Sequence, residues 1–387
     1  MYKYHCLNQI SRAGLGKLDE NYKKTEQADE ADVILVRSAK MHDMEFGPNL
    51  KAIARAGAGV NNIPLDRCAE NGIVVFNTPG ANANGVKELV IAGMLLAARD
   101  VIGGINWVQE HEEDGDLAKL TEKSKKAFAG TEISGKKLGV IGLGAIGVLV
   151  ANAAVHLGMD VYGYDPYVSV DSAWRLSRNI HHAKTVDELY RECDYITIHV
   201  PALKDTIGMI DKNAISLMKK NVVILNFARD TLVNSEDMVD ALVSGSVKCY
   251  VTDFPTPEIA GVKGTIVIPH LGASTEESED NCAKMAVEEI RDFIENGNIS
   301  HSVNFPDCSL GEKGESPRIT VLHKNIPNMI GQFTTLLADK GINIELMTNK
   351  SRKEYAYTMM DVVGEISEEV VGQMESVNGV LKVRVLQ

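Results

Sequence analysis

A glycine-rich segment, Gly142-Leu-Gly144-Ala-Ile-Gly147, has the residue types and spacing of a phosphate-binding turn. It follows the apolar run Lys137 to Gly142 and precedes the helix-like segment Ile146 to Leu157, so we predict a strand, a tight turn and a helix. Glycines let the turn close tightly and let a pyrophosphate approach the free N–H groups at the start of the helix. We therefore predict that a dinucleotide contacts Gly142, Gly144, Ala145, Ile146 and Gly147.

A carboxylate, Asp165, ends the next predicted strand, Asp160 to Tyr164. It follows the glycine-rich segment by about 20 residues, where a carboxylate can accept hydrogen bonds from the adenosine ribose. The same charge would repel a 2′-phosphate, which favours NAD over NADP as the cofactor. A structural turn followed by an unrelated aspartate is the alternative.

Three polar residues follow predicted strands or turns further along the chain: Arg229, Glu258 and His270. The guanidinium group of Arg229 comes after the strand Val222 to Asn226, where it could hold a substrate carboxylate through two donors. His270 comes after the strand Thr265 to Ile268, and an imidazole there could exchange a proton during hydride transfer at the neighbouring carbon. Taken singly, each residue is more often a surface ion pair or a structural polar group.

The order and the surroundings of these residues resemble the D-2-hydroxyacid dehydrogenases over most of the chain before the C-terminal segment. The resemblance implies that His270 is the catalytic acid and base, that Glu258 hydrogen-bonds it, and that Arg229 orients the substrate. Asp230 stands where the family usually has glycine after the arginine. Since glycine often serves positions with positive φ, the conformation of this loop is left open.

The same resemblance implies further contacts with NAD. The adenine and the ribose would be bordered by His199, Val200 and Pro201. The nicotinamide end would lie near Phe227, Ala228, Arg229, Asp253 and His270. Asp253 could instead be a turn or capping residue, because Pro255 and Pro257 follow it closely.

A loop of small residues in the N-terminal region, from Arg55 to Gly59, resembles the loop whose backbone N–H groups bind the substrate carboxylate in this family. Its small side chains would let the substrate approach Ala58 and Gly59. Arg37 follows another predicted strand, and with Arg55 it could bind a second anionic group. Two arginines in such positions predict a phosphorylated 2-hydroxy acid as the small-molecule substrate. The alternative is that both arginines are exposed and pair with solvent or acidic neighbours.

The C-terminal segment resembles the small regulatory ACT domain. A stretch poor in apolar residues, 306–316, predicts a linker, and the segment 317–387 has the predicted order strand, helix, strand, strand, helix, strand. The resemblance implies that His323, Asn325 and Asn343 bind an effector, L-serine. A contact between subunits is the alternative role of such a domain.

These patterns together predict an α/β chain with two Rossmann-like doubly wound parallel-sheet domains and a C-terminal ferredoxin-like βαββαβ unit, the ACT domain. The predicted substrate-binding domain comprises residues 1–98 and 289–305, and the NAD-binding domain comprises residues 99–288. We expect the return crossing between them in the helix-like segment Glu277 to Asn296. We also expect the ACT unit to follow the dehydrogenase directly, without a further inserted domain.

The composition disfavours several classes of partner. The net charge of -13 argues against nucleic acids and anionic membranes, which bind clustered lysines and arginines. The cysteines are scattered without metal-ligand spacing, so we expect reduced thiols and no metal. Met1 to Ile10 lacks the apolar core of a signal peptide and Leu138 to Val150 is too short to span a bilayer, so we expect a cytoplasmic protein.

A dehydrogenase of this family is the leading interpretation, with a homodimer or homotetramer as the expected assembly. One alternative is a dehydrogenase of another D-2-hydroxy acid. The other is an NAD-sensing interaction protein, although the presence of Arg229, Glu258 and His270 together argues against a purely structural role.

Overall fold

The computed structural model describes residues 1–387, which form two compact units: residues 1–82 with 276–387, and residues 83–275. The strands are β1 (Tyr2–Cys6), β2 (Tyr22–Lys24), β3 (Val33–Val36), β4 (Ala52–Arg55), β5 (Val74–Asn77), β6 (Lys137–Ile141), β7 (Asp160–Tyr164), β8 (His181–His182), β9 (Tyr195–Ile198), β10 (Val222–Asn226), β11 (Val247–Thr252), β12 (Thr265–Val267), β13 (Arg318–Lys324), β14 (Asn343–Arg352), β15 (Tyr355–Val363) and β16 (Val380–Leu386). The α-helices are α1 (Arg12–Leu15), α2 (Leu65–Glu70), α3 (Ala83–Ala98), α4 (Val101–Glu110), α5 (Leu117–Ser124), α6 (Ala145–His156), α7 (Val170–Arg175), α8 (Val186–Glu192), α9 (Lys212–Leu217), α10 (Ser235–Ser244), α11 (Glu276–Asn296), α12 (Met329–Asp339) and α13 (Glu368–Glu375).

The unit of residues 83–275 is built on a seven-stranded parallel sheet with the order β12-β11-β10-β9-β6-β7-β8. The central strands β9 and β10 are buried along their whole length, as expected for a parallel sheet covered on both faces. The strand order reverses between β6 and β9, and open sheets of this kind bind ligands at the carboxyl ends of the strands beside such a reversal. The glycine-rich segment follows β6 at this place.

Helix α3 packs in the core of this same unit. Its buried residues Val90 and Met94 belong to one hydrophobic cluster with Val140 and Leu225 of the parallel sheet. The sequence-based division assigned these residues to the first domain, but the apolar face of α3 is buried here, so the unit begins at Ala83.

The other unit contains a five-stranded parallel sheet with the order β2-β1-β3-β4-β5. Helix α11 covers this sheet with apolar residues at helical spacing, and Phe293 contacts Phe76 of β5 with ring centroids 5.7 Å apart. The whole helix from Glu276 belongs to this unit, whereas the predicted division placed its first half in the NAD-binding domain.

The C-terminal residues form a four-stranded antiparallel sheet with the order β14-β15-β13-β16 and the element order βαββαβ. Side chains alternate between its two faces. Ile319 and Val321 of β13 pack with α12 and α13, whereas Leu322 of the same strand joins the core that contains Phe293. One face of this sheet therefore shares a hydrophobic core with the N-terminal sheet.

Side chains of the C-terminal sheet also bind the carboxyl end of α11, where the last carbonyl groups have no partner within the helix. Arg384 donates to the carbonyl groups of Phe293 (3.1 Å) and Ile294 (2.9 Å), and Arg318 donates to that of Asn296 (2.7 Å). Positive charge is favourable at this end of a helix dipole. The predicted linker is also held in place, since the backbone of Cys308 exchanges two hydrogen bonds with Ile299.

The predicted α/β class with parallel Rossmann-type sheets is confirmed, and most predicted strands and helices lie within two residues of those observed. None of the helices combines the length and the apolar character needed to cross a bilayer.

Candidate active site

The glycine-rich turn joins β6 to α6 and leaves the amino end of the helix open. Gly142 has a φ of 91°, and a Cβ at this position would lie 2.6 Å from the carbonyl oxygen of His199. A Cβ at Gly147 would lie 1.9 Å from the carbonyl oxygen of Gly142, so both positions require glycine. Gly144 faces open space and makes no side-chain cap, and the backbone that continues into Ala145 and Ile146 is therefore available to an anion.

Asp165 follows β7 and is bonded to this turn. Its Oδ2 accepts a hydrogen bond from the backbone N–H of Leu143 (2.9 Å), and its Oδ1 accepts one from Tyr167 (2.8 Å). The carboxylate thus fixes the glycine-rich turn against the end of β7. Each oxygen keeps a further lone pair that a ribose hydroxyl could use.

His199 follows β9 on the other side of the glycine-rich turn. Its Nε2 lies 3.0 Å from the hydroxyl of Thr197, whereas its Nδ1 is buried and has no partner. Burial lowers the pKa of His199 to about 3, so the ring is neutral near pH 7. Val200 and Pro201 come next, the first partly exposed and the second exposed. The buried Nδ1 has no hydrogen-bond partner and lies next to the glycine-rich turn. A dinucleotide bound at this turn could supply the missing bond.

A buried asparagine that the sequence prediction missed organises the loop after β10. The Oδ1 of Asn226 accepts hydrogen bonds from the N–H groups of Ala228 (3.1 Å) and Arg229 (3.4 Å), and its Nδ2 donates to the carbonyl of Arg229 (2.8 Å). Phe227 is buried, so the loop is anchored and the Arg229 side chain is left exposed. The only sequence signal was an amide side chain at the end of an apolar strand.

Asp230 causes no backbone strain in this loop. It begins a short 3-10 helix, Asp230–Leu232, and is not among the residues with positive φ. The family's glycine is therefore not required here by backbone conformation.

Asp253 follows β11 and is the buried carboxylate of the site. Its Oδ2 accepts a hydrogen bond from the N–H of Gly272 (2.9 Å), whereas its Oδ1 is buried without a partner. Burial raises the pKa of Asp253, and the Gly272 amide, followed by the positive charges of His270 and Arg229, acts in the opposite direction. The unpartnered oxygen is a second buried polar atom that a ligand could satisfy.

His270 is held by its backbone. It has a φ of 45°, and its N–H donates to the carbonyl groups of Asp253 (2.9 Å) and Ile268 (3.1 Å). Its ring lies against Phe254, with ring centroids 4.8 Å apart. The imidazole itself is exposed.

The hydrogen bond between Glu258 and His270 that the resemblance implied is not formed. Glu258 lies in the turn after Pro257, with its side chain in solvent, and the neighbouring Thr256 side chain lowers its pKa. Prolines at positions 255 and 257 keep this segment out of regular structure. The carboxylate whose charge acts with His270 is Asp253.

The structure thus brings together Arg229, Asp253 and His270 at one sheet edge. They follow β10, β11 and β12, which are neighbouring parallel strands, and the charges of Arg229 and His270 both act on Asp253. Such an edge can hold an anionic substrate group and exchange a proton beside a buried carboxylate. No group of three or more His, Cys, Asp or Glu side chains is arranged to hold a metal ion.

The predicted arginines of the other unit are close to each other. Arg55 donates from Nε to the carbonyl of Arg37 (2.9 Å), and Arg37 forms an ion pair with Glu279 of α11 (2.7 Å). The loop of Arg37 is fixed by Asn8, whose Oδ1 accepts hydrogen bonds from the backbone N–H groups of residues 37, 38 and 39. Neither Asn8 nor Glu279 was predicted from the sequence.

The predicted carboxylate-binding loop is tied to the end of β5. The side chain of Asn77 donates to the carbonyl of Ala58, and the N–H of Thr78 donates to the carbonyl of Gly57 (3.2 Å). The next residue, Gly59, is partly exposed. The loop is therefore held through its carbonyl groups.

The three predicted effector residues differ in exposure. His323 is 2% exposed, and both ring nitrogens are engaged, with the hydroxyl of Thr358 (2.9 Å) and the carbonyl of Lys324 (2.8 Å). Burial lowers the pKa of His323. Asn325 and Asn343 are exposed.

The chain matches known dehydrogenases in sequence. Residues 91–272 match the family described as D-isomer specific 2-hydroxyacid dehydrogenase, NAD binding domain. A Schizosaccharomyces pombe protein provisionally named D-3-phosphoglycerate dehydrogenase is 32% identical over 360 residues, which cover 87% of this chain and 72% of that protein. The chain belongs to the D-isomer specific 2-hydroxyacid dehydrogenase family. It carries the NAD-binding domain of that family, so the predicted cofactor and family are confirmed.

Two further relatives of this dehydrogenase differ in how much of them it covers. The D-3-phosphoglycerate dehydrogenase of Haemophilus influenzae is 28% identical over 98% of this chain and 94% of its own length. The mycobacterial enzymes of that name are 37% identical over 71% of this chain, which spans only 51% of their length. Among solved structures, NAD+-bound 3-phosphoglycerate dehydrogenase of Entamoeba histolytica is 29% identical, with a TM-score of 0.60 over 78% of this chain and 98% of that one.

Proposed function

We propose that this dehydrogenase oxidises 3-phospho-D-glycerate to 3-phosphooxypyruvate with NAD, as a D-3-phosphoglycerate dehydrogenase. The observation that carries the proposal is the match to the Haemophilus influenzae enzyme, which extends over 98% of the chain and so includes the C-terminal sheet. The proximity of Arg37 to Arg55 supports a phosphorylated substrate.

The residues at the carboxyl edge of the seven-stranded sheet would each have a separate role in the reaction. NAD bound along the glycine-rich turn supplies the acceptor for the hydride that leaves C2 of the substrate. His270 takes the proton of the C2 hydroxyl, so that the C–O bond becomes the ketone as the C–H bond breaks. Arg229 holds the substrate carboxylate through two donors.

Asp253 would assist His270 through its charge. The two residues are linked by the hydrogen bond from the His270 backbone N–H to the carbonyl of Asp253 (2.9 Å). A nearby carboxylate stabilises the positive charge that His270 acquires when it takes up a proton. Asp253 is the buried carboxylate at this edge of the sheet. Glu258, which the family resemblance gives this task, is exposed to solvent.

The phosphate and the carboxylate of the substrate would use the loops of the N-terminal sheet. Arg37 and Arg55 would bind the phosphate, and the backbone at Ala58 and Gly59 would receive the carboxylate. Asn8 and Asn77 hold these loops in place before the substrate arrives.

The C-terminal sheet would act as an ACT domain that binds L-serine. Its βαββαβ element order supports this assignment, and the exposed side chains of Asn325 and Asn343 could bind the amino acid. His323 would support that site from the core. A homodimer or homotetramer is part of the proposal, because α4 leaves Ile102, Ile105 and Val108 between 43% and 52% exposed.

The test is NADH oxidation with 3-phosphooxypyruvate, 3-hydroxypyruvate, glyoxylate and pyruvate, each with and without L-serine. We expect kcat/KM for the phosphorylated acid to exceed the others by at least about tenfold, because a phosphate bound by arginine contributes charged hydrogen bonds. Arg37→Gln should reduce this preference and Arg12→Gln, an exposed arginine of the same unit, should not. Equal or better turnover of the unphosphorylated acids would refute the proposed substrate.

One observation favours a second candidate, a dehydrogenase of an unphosphorylated D-2-hydroxy acid. Arg37 is already paired with Glu279, which reduces the positive charge offered to a phosphate. The same panel separates the two candidates. Binding of NADH without turnover of any of the acids would instead favour an NAD-sensing protein.

A further inference from the structure

Glu279 lies on the first turns of α11 with its carboxylate against a predicted phosphate ligand. Its Oε1 is 2.7 Å from Nη2 of Arg37, and the two side chains are 46% and 43% exposed. Both partners are thus within reach of a substrate in solvent. The backbone of Arg37 is fixed by Asn8, and Glu279 is fixed by the helix, so the pair is formed between two rigid elements.

Further polar groups surround the ion pair of Arg37 and Glu279. Arg55 lies against Arg37 through its bond to the Arg37 carbonyl, and Cys282 stands one helical turn after Glu279. Burial raises the pKa of the Cys282 thiol, while the positive charges of Arg37 and Arg55 act in the opposite direction. This part of α11 therefore faces two arginines, and Glu279 is the acidic group paired with Arg37.

A substrate phosphate and the Glu279 carboxylate would need the same guanidinium group. A half-exposed ion pair contributes only up to about 1 kcal/mol, so a phosphate with up to two negative charges can displace the carboxylate. A substrate that has a neutral hydroxyl in place of the phosphate displaces nothing. The ion pair should therefore weaken the binding of phosphorylated ligands and leave unphosphorylated ones unaffected.

We propose that Glu279 is a specificity-determining residue of this dehydrogenase, an internal counter-ion that competes with the substrate phosphate for Arg37. The proposal deepens the proposed function and rests on it for the identity of the phosphorylated substrate. Competition of this kind raises the dissociation constants of both the phosphorylated substrate and the phosphorylated product. It also keeps Arg37 paired while the site is empty.

The test uses the full-length protein and dissociation constants measured by calorimetry in the presence of NAD, so that no hydride can pass to a ketone. The probes are 3-phosphooxypyruvate, inorganic phosphate and 3-hydroxypyruvate. In Glu279→Gln we expect tighter binding of both phosphate-bearing probes by about three- to fivefold, the equivalent of an ion pair of about 1 kcal/mol, and no change for 3-hydroxypyruvate.

The matched control is Glu277→Gln, which removes the same charge from the same helical turn at an exposed residue that has no ion pair. It should bind all three probes as the wild type does. In an Arg37→Gln background, Glu279→Gln should have no further effect, because the competition needs both partners.

Several results would overturn the proposal. Unchanged binding of phosphate in Glu279→Gln would show that the pair does not compete, and weaker binding would show that Glu279 instead positions Arg37. An equal change for all three probes would indicate a structural effect of the substitution. If the wild type binds these probes but does not turn over 3-phosphooxypyruvate with NADH, the proposed function is refuted. The competition at Arg37 is then judged from the phosphate measurements alone.

Discussion

The carboxyl edge of the seven-stranded sheet and the C-terminal four-stranded sheet both bury polar side chains, but they differ in whether those side chains have partners. At the carboxyl edge, Nδ1 of His199 and Oδ1 of Asp253 are buried without a hydrogen bond. In the C-terminal sheet every buried side-chain polar atom has a partner, and Arg318 forms two hydrogen bonds to Asp361 and two to carbonyl groups.

This difference distinguishes residues that can bind a ligand from residues that stabilise the fold. A buried polar atom without a partner costs free energy, and at a binding site a ligand can supply the missing hydrogen bond. A fully bonded buried group contributes to a fixed structure and leaves nothing for a ligand. This criterion supports the proposed reaction site at the carboxyl edge, whereas the buried polar groups of the C-terminal sheet hold α11 in place.

The largest effect should come from Arg229 at the carboxyl edge. Arg229→Lys keeps the charge but loses the paired donors that hold a carboxylate, so kcat/KM should fall by about a hundredfold or more. Because the side chain is exposed, the free energy of unfolding should change by less than about 0.5 kcal/mol. Steady-state kinetics and denaturant unfolding test both statements, with the exposed Arg175→Lys as the control.

Arg384 of the C-terminal sheet should show the opposite pattern. Arg384→Met leaves the carbonyl of Ile294 without this donor and leaves that of Phe293 with only the N–H of Gly297, so the free energy of unfolding should fall by about 1–3 kcal/mol. Arg12→Met, at an exposed arginine of the same unit, should have little effect. Equal stabilities of the two variants would show that Arg384 does not support the end of α11.

Glu289 tests how much stability is lost when a buried carboxyl group has a hydrogen-bond partner for only one of its oxygens. Burial, followed by the charges of Asp307 and Glu288, raises the pKa of Glu289 to about 9, and only Oε1 has a partner, Nδ1 of His301 (2.9 Å). The folded protein keeps a proton that the unfolded chain releases above its ordinary pKa of 4.5, so wild-type stability falls as the pH rises from 4.5 towards 9.

Glu289→Gln cannot titrate, so its stability relative to the wild type should increase over that range. We expect a gain of at least about 1 kcal/mol between pH 5 and pH 8 by denaturant unfolding. A difference that is constant with pH would contradict the raised pKa. Glu277→Gln, which replaces an exposed carboxylate, serves as the control.

The smallest effect on stability should come from Asn325, one of the two exposed residues among the predicted effector residues. Asn325→Ala should change the free energy of unfolding by less than about 0.5 kcal/mol. If the C-terminal sheet binds L-serine as proposed, the same variant should lose inhibition by serine. Unaltered inhibition would remove Asn325 from the effector site.

Those parts of the fold that depend on local patterns were predictable from the sequence. The local strand patterns predicted β7 and β10 with their observed bounds, and the glycine spacing identified a turn in which Gly142 and Gly147 cannot be replaced. Periodicity says nothing about which helix packs on which sheet, and the predicted first domain therefore included α3, whose apolar residues pack against the seven-stranded sheet.

The hydrogen bonds of the site could not be predicted, because they join residues far apart in the chain. Asn8 binds the loop of Arg37, and Glu279 reaches Arg37 from α11. Residue type alone also did not distinguish a buried histidine from an exposed one. His270 and His323 had both been given functional roles, and only the structure shows that the second is enclosed.

The two histidines give the most direct test of the central claim, through kcat and the free energy of unfolding measured for His270→Gln and His323→Gln under the same conditions. The account predicts that His270→Gln loses about a hundredfold or more in turnover at unchanged stability, because it loses an exposed proton-transfer group. It predicts that His323→Gln loses about 1–3 kcal/mol of stability while turnover stays within about twofold. Normal turnover in His270→Gln, or unchanged stability in His323→Gln, would contradict the distinction between the two regions.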